Sequence, residues 1–333
     1  MAARADRLNP GPPEHLAAPW GATSHVADLG GPVHWVEFGD GEPAPSDGLP
    51  PLVLVHGLGG SHLNWVGIGP ALAQRRRVVA LDLPGFGLSP AAGRRTGVHH
   101  NAALLSRFVH EVLGRPVVLV GNSMGGMVSL LLADRRPEQV AGLVLVDPAL
   151  PNPGARPDPQ VAATFALYAV PRVGELVLSR YATRYTDRQR VLGTVALCFA
   201  DPALADPAVV DAGVELAAWR RSLPDPEAEF LGAARSLLRV LRGRRDYDRV
   251  VRTVEAPVLL VHGTRDRLVP VSAAKRAARL NPGWRTAYLD GVGHTPQLEA
   301  PDAVLEVLEP WLESLGTAPH HGEGHGEGSS AVS

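Results

Sequence analysis

The sequence predicts an α/β protein in which a mostly parallel sheet is flanked by helices and interrupted by a helical insertion. Three observations carry that prediction. Short continuous apolar runs recur along the chain, each ending in Gly, Asp or Pro. They lack polar alternation, as strands covered on both faces do. Helical stretches separate most of them, which is how parallel strands are connected. Finally, the stretch from about Leu150 to Val254 is rich in helix formers, broken by prolines, and holds no comparable run.

The elements follow in order. Residues 1–22 are proline-rich and are expected to be flexible. HVADLGGPVHWVEF reads as two short strands around a Gly-Gly turn, and GDGEPAPSDGLPP, Gly39 to Pro51, reads as a loop. The buried-strand runs are LVLVHG from Leu52, RVVALDLPG from Arg77, PVVLVGNS from Pro116, AGLVLVDP from Ala141 and PVLLVHG from Pro257, with AYLD following later. These divide the chain into a core of residues 23–150 and 255–315 and a helical cap of residues 151–254. The tail, 316–333, has almost nothing to bury and is expected to be disordered, its histidines solvated rather than metal ligands.

Composition narrows the functional classes. With 333 residues, 45% of them hydrophobic, the chain can bury a sizeable core in one large domain with an insertion or in two domains. A formal net charge of −2 gives no overall field that would draw it to nucleic acid or to an anionic membrane. The arginine runs at Arg75 to Arg77 and Arg244-Arg245 read as solvated helix surface. Cys198 is the only cysteine, so neither an intrachain disulfide nor a thiolate metal cluster is expected. The N-terminal residues lack the apolar stretch of roughly 7 to 15 residues of a signal peptide. No run approaches the ~18 apolar residues of a spanning helix. A cytoplasmic location without a membrane span is the expectation.

The stretch GNSMGG, Gly121 to Gly126, directly follows the run VVLV. A chain that turns from strand straight into helix holds Ser123 in a strained conformation with its hydroxyl in the cleft, and ligands of parallel sheets meet the carboxyl ends of the strands. Such a turn crowds the residues two before and two after the serine, so Gly121 and Gly125 remove the collision. The pattern is the G-x-S-x-G elbow in its required strand-to-helix context.

A serine hydroxyl needs a base, and the base needs an orienting group. For this elbow the chain order is serine, acid, histidine. Asp266 lies just after a strand in PVLLVHGTRDRLVP, and His294 lies in the Gly-rich loop of DGVGHTPQLEAP. Asp147, which also ends a strand, is the rival acid. A developing oxyanion needs backbone donors. The amide of Met124 is one. Leu58 is the second, in the loop HGLGGS, where Gly57 and Gly59 allow close backbone approach. The same glycines match neither G-x-x-x-x-G-K-[ST] nor G-x-G-x-x-G, which speaks against phosphate binding.

In this order, HGLGGSHLNW, DLPGFGLS, GNSMGGM, HGTRDRLVP and GVGHTPQLE, spread over roughly Val33 to Leu315, resemble the α/β-hydrolase fold superfamily. The resemblance implies an eight-stranded, mostly parallel sheet, a triad of Ser123, Asp266 and His294, and a cap formed by the insertion. Epoxide hydrolases and haloalkane dehalogenases of the superfamily carry an aspartate nucleophile, against which Ser123 argues. GNSMGG also resembles the elbow of C–C bond hydrolases of meta-cleavage pathways, which usually carry a tryptophan where this chain has Thr295. GHTPQLE looks more like the carboxylesterase, lipase and cofactor-free haloperoxidase or perhydrolase branches.

The expected function is hydrolysis of a small-molecule carboxylic ester through an acyl-enzyme, with no metal and no organic cofactor. A C–C hydrolase, a haloperoxidase or perhydrolase, and a non-catalytic ligand-binding member of the fold are the alternatives. Phe165, Leu167, Tyr168, Tyr181, Tyr185, Phe199, Trp219 and Phe230 are the cap's apolar candidates for packing or for substrate contact. A homodimer is left open.

Overall fold

Why the runs are unbroken by polar residues is visible in the computed structural model, which describes residues 11–39, 48–153 and 158–316. Strands β1 (Ala22–Asp28), β2 (Pro32–Phe38), β3 (Leu52–Val55), β4 (Val78–Leu81), β5 (Val117–Asn122), β6 (Val140–Val146), β7 (Val258–Gly263) and β8 (Arg285–Leu289) form one sheet in the order β1-β2-β4-β3-β5-β6-β7-β8. β2 pairs antiparallel with both neighbours, and the remaining pairs are parallel. Every residue of β3, β4, β5 and β7 is buried.

Before the insertion the helices are α1 (Gly69–Ala73), α2 (Val98–Phe108) and α3 (Met124–Arg135). Within it lie α4 (Pro159–Ala169), α5 (Val173–Arg184), α6 (Asp187–Cys198), α7 (Pro207–Arg220), α8 (Pro226–Arg242) and α9 (Arg244–Thr253). The chain closes with α10 (Val271–Leu280), α11 (Pro296–Glu299) and α12 (Pro301–Gly316). Strand residues alternate between two cores. Val53 and Val55 face a core shared with α2, α3, α9 and α10, while Leu52 and Leu54 face one shared with α1 and α12.

Register gathers the strand ends. Val55 pairs with Gly121, Gly121 with Leu145, and Leu145 with Leu260. The residues just beyond these strands therefore emerge side by side at one edge of the sheet.

Two segments differ from their expected boundaries. Leu16 and Ala17, within the N-terminal stretch expected to be flexible, are buried against the core, and Ala18–Trp20 forms one 3-10 turn. At the far end of the insertion, Tyr247, Val250 and Val251 put one face of α9 into the sheet's core, against α3 and α10. Their spacing of three and four residues is the helical period of a core-facing stripe. Most of Gly39 to Pro51, residues 1–10 and the tail beyond Gly316 lie outside the described residues.

Candidate active site

Ser123 joins β5 to α3 with φ 53° and ψ −116°. A non-glycine residue holds positive φ only where its surroundings over-determine it. Here the Ser123 N–H donates to Val146 O at 3.0 Å, and its carbonyl accepts from Met127 N at 3.2 Å and Ala149 N at 3.0 Å. A Cβ on Gly121 would stand 2.6 Å from the backbone of Gly125 and Gly126. One on Gly125 would stand 2.0 Å from Val55 O and 2.6 Å from His56 O, so this glycine is required by the end of β3.

The loop after β3 lies against the serine: a Cβ on Gly57 would be 3.0 Å from Ser123 Cβ. His56 props that loop. Its Nε2 accepts the Leu83 N–H at 3.0 Å, which fixes the tautomer, and its Nδ1–H donates to Gly57 O at 2.7 Å. Burial keeps its pKa lowered, favouring the neutral ring that this arrangement needs. Gly59 adopts φ +77°, close to the Phe230 ring. Among the described residues, neither the Leu58 nor the Met124 amide donates to a protein group.

His294 is 4% exposed and its Nδ1 lies 2.7 Å from Asp266 Oδ2. Asp266 Oδ1 accepts the N–H groups of Leu268 and Val269 at 2.7 and 2.9 Å. Burial opposes ionisation of Asp266, but His294, His262 and the Val269 N–H outweigh it and hold the carboxyl below its ordinary value. His294 and Ser123 border one cavity of about 1350 Å³.

The two acids are separated by these contacts. Asp147 Oδ1 accepts the Gly263 N–H at 2.9 Å and lies 3.4 Å from His262 Nε2. Burial, and then the charge of Asp266, pushes the Asp147 carboxyl well above its ordinary value. The partner of His294 is Asp266.

Three residues at the site escape sequence reasoning. Asn122 Nδ2 donates to Val146 O at 3.1 Å and to His294 O at 3.0 Å, tying the histidine to the elbow strand. Glu299 is 6% exposed; its Oε2 accepts the Gly293 N–H at 2.7 Å and its Oε1 accepts those of Ala200 and Asp201 at 2.8 and 2.9 Å. The His294 N–H donates to Cys198 O at 2.6 Å. The insertion is thereby docked onto the histidine loop. Arg220 on α7 donates to Gly85 O and Gly87 O, joining the insertion to the loop after β4.

Of the insertion's apolar candidates, Phe165, Tyr168, Tyr181, Phe199 and Phe230 border the cavity. Leu167 and Tyr185 face outward, and Trp219 packs against the core. Cys198 also borders the cavity, but burial pushes its thiol up to about 12, leaving it unreactive at neutral pH.

Two trios bring nitrogen and carboxylate atoms close enough for a cation: His34, His62 and Asp82, and Asp147, His262 and Asp266. In the first, Asp82 already accepts His34 Nδ1, His62 Nδ1, His62 N and Leu88 N, each at 2.7 or 2.8 Å. The second shares Asp266 with His294. In the first trio His62 Nε2, and in the second His262 Nδ1 and Asp147 Oδ2, are buried without a hydrogen-bond partner among the described residues.

Comparison with known proteins agrees with this fold. The pattern of the family described as the alpha/beta hydrolase fold matches residues 50–301. The chain is 30% identical over 264 residues to a pimeloyl-[acyl-carrier protein] methyl ester esterase of Aeromonas hydrophila, covering 78% of this chain and 94% of that one. It is also 30% identical over 296 residues to the dihydrolipoyllysine-residue acetyltransferase component of the acetoin cleaving system of Pseudomonas putida, covering 88% and 70% of the two chains. Among solved structures, a lipase-like protein from Acinetobacter baumannii superposes with TM-score 0.70 at 23% identity, covering 91% and 95%.

Proposed function

Since the chain belongs to the α/β-hydrolase fold family, we propose that it is a serine hydrolase that cleaves carboxylic esters with a small to medium apolar part. The observation that carries this reading is the His294–Asp266 pair, 2.7 Å apart, bordering the same cavity as a serine held at positive φ.

In this reading His294 takes the proton of Ser123 Oγ as the oxygen attacks the ester carbonyl. Asp266 holds the imidazole with its Nδ1–H fixed and stabilises the imidazolium. The carbonyl oxygen, now negative, is met by the N–H groups of Leu58 and Met124, each worth on the order of 10²- to 10³-fold in rate when well placed. Collapse expels the alcohol, protonated by His294. Water, deprotonated by the same histidine, then attacks the acyl-enzyme, and collapse of the second intermediate restores Ser123 Oγ–H and frees the acid. The chain's own groups supply each proton transfer.

The name of the Aeromonas relative, a methyl ester esterase, supports ester chemistry, and the apolar cavity walls support an apolar acyl or alcohol part. The test is turnover of p-nitrophenyl esters from acetate to laurate. Turnover with a chain-length optimum, lost in Ser123→Ala, is expected; a folded protein that turns over none of them overturns the ester reading.

A further inference from the structure

Where α4 meets α5 the chain is apolar on both sides. Their inner side borders the cavity through Val161, Phe165, Tyr168, Val177, Leu178 and Tyr181. Their outer side, around the corner where α4 ends and α5 begins, exposes Leu167, Val170, Val173 and Leu176 to 43, 48, 38 and 49%. Exposed apolar clusters mark interaction surfaces.

Charge selects the occupant. The acids on and beside these helices are already matched: Glu175 with Arg235, Asp158 with Arg267, and Asp187 with Arg190 and Arg221. Arg172 at the corner and Arg180 and Arg184 along α5 have no acidic partner among the described residues, Arg184 instead lying over the Tyr185 ring. The corner is therefore an apolar patch whose flank along α5 carries surplus cations, Arg172 at one end and Arg180 and Arg184 toward the other, although the whole chain carries −2. This combination matches an anionic lipid surface, where apolar side chains enter the boundary and arginines meet the headgroups.

Among the described residues no single helix is long and apolar enough to cross a membrane; α4 and α5 reach that length and apolarity only as a pair, bent by 116°. Arg235 on α8 fixes the corner by donating to Tyr168 O at 2.9 Å and Val170 O at 3.2 Å while pairing with Glu175.

We propose that the α4–α5 corner docks the protein on an anionic bilayer, and that the ester substrate is a lipid drawn from that bilayer into the cavity the same helices enclose. The substrate part rests on the serine-hydrolase reading; the docking part does not.

The experiment is co-sedimentation of the full-length chain, carrying Ser123→Ala so that lipid is not consumed, with vesicles of phosphatidylcholine alone and with phosphatidylglycerol added. Each arginine contributes about fivefold at such a surface, so anionic vesicles should bind on the order of 100-fold more tightly, and less so in high salt. Val170→Glu with Leu176→Glu should weaken binding at least about tenfold. In the Ser123 background the same pair should leave thermal unfolding and turnover of p-nitrophenyl acetate unchanged. Replacing Arg172, Arg180 and Arg184 by alanine should abolish the preference for anionic vesicles. Equal, weak sedimentation with both vesicles overturns the docking proposal, as does a concentration-dependent dimer that the Val170→Glu, Leu176→Glu pair dissolves. Vesicle binding without ester turnover by the wild type supports docking and overturns the hydrolase reading; ester turnover without vesicle binding overturns docking alone.

Discussion

Glu299 Oε2 accepts the backbone N–H of Gly293 at 2.7 Å, so the residue immediately before His294 is held by a buried carboxylate. The other oxygen holds Ala200 and Asp201 of the insertion. Alanine at 299 would leave three N–H groups without acceptors, a loss of roughly 2–4 kcal/mol of stability. With the histidine loop released, kcat should fall by about 10- to 100-fold while KM stays within a few-fold. Glutamine, which keeps one acceptor oxygen, should fall between the two. Urea unfolding and steady-state kinetics check this; an alanine variant with unchanged kcat would show that the latch does not position His294.

The elbow glycines should be intolerant for different reasons. Gly121→Ala sets a Cβ 2.6 Å from the backbone of Gly125, and Gly125→Ala sets one 2.0 Å from Val55 O. Neither obstacle is a flexible side chain. Each variant should lose about 3 kcal/mol or more, with the Gly125 change the worse because β3 itself must shift. Denaturant midpoints of the two proteins give the comparison.

The two neighbouring acids should separate cleanly in kinetics. Asp266→Asn removes the charge facing the imidazole and should lower kcat on the order of 10³- to 10⁴-fold. Asp147→Asn replaces a carboxyl that burial pushes toward its neutral form and that does not contact His294, and should cost less than about tenfold. A reversed ranking would make Asp147 the functional acid.

Stability against pH should carry opposite signatures at Asp82 and Asp147. Burial opposes ionisation of Asp82, yet His62 and His34 hold it well below its ordinary value. Its stabilising contribution is therefore present above the unfolded value of about 3.9 and is lost as pH falls through the folded value. Asp147 is shifted upward, so its contribution is present below about 3.9 and is lost as pH rises through the folded value. Asp82→Asn should thus cost most near neutral pH and least in acid. Asp147→Asn should gain on the wild type as pH rises. Urea unfolding at a series of pH values reads both slopes.

The strands and the elbow were legible because they depend on local pattern: five unalternated runs and glycines spaced two residues either side of Ser123. Chain order brought Asp266 and His294 within reach, since each follows a strand whose end the parallel register sets beside the others. Asp147 stayed a rival because a carboxylate's partner is a three-dimensional fact; only the 2.7 Å contact with Asp266 separates them. Glu299 stood in plain view within GHTPQLE, yet two of its partners lie about a hundred residues earlier in the insertion. The core-facing role of α9 was hidden by its charge, since seven of ten residues in RRDYDRVVRT are charged or polar while Tyr247, Val250 and Val251 form the buried stripe.

Nucleophilic attack by Ser123 with His294 as its base is tested by the intact mass and peptide map of the protein after exposure to diisopropyl fluorophosphate. One adduct is expected, on the peptide holding Ser123, absent in Ser123→Ala and formed far more slowly in His294→Ala. An unmodified Ser123, together with ester turnover that survives Ser123→Ala, would contradict it.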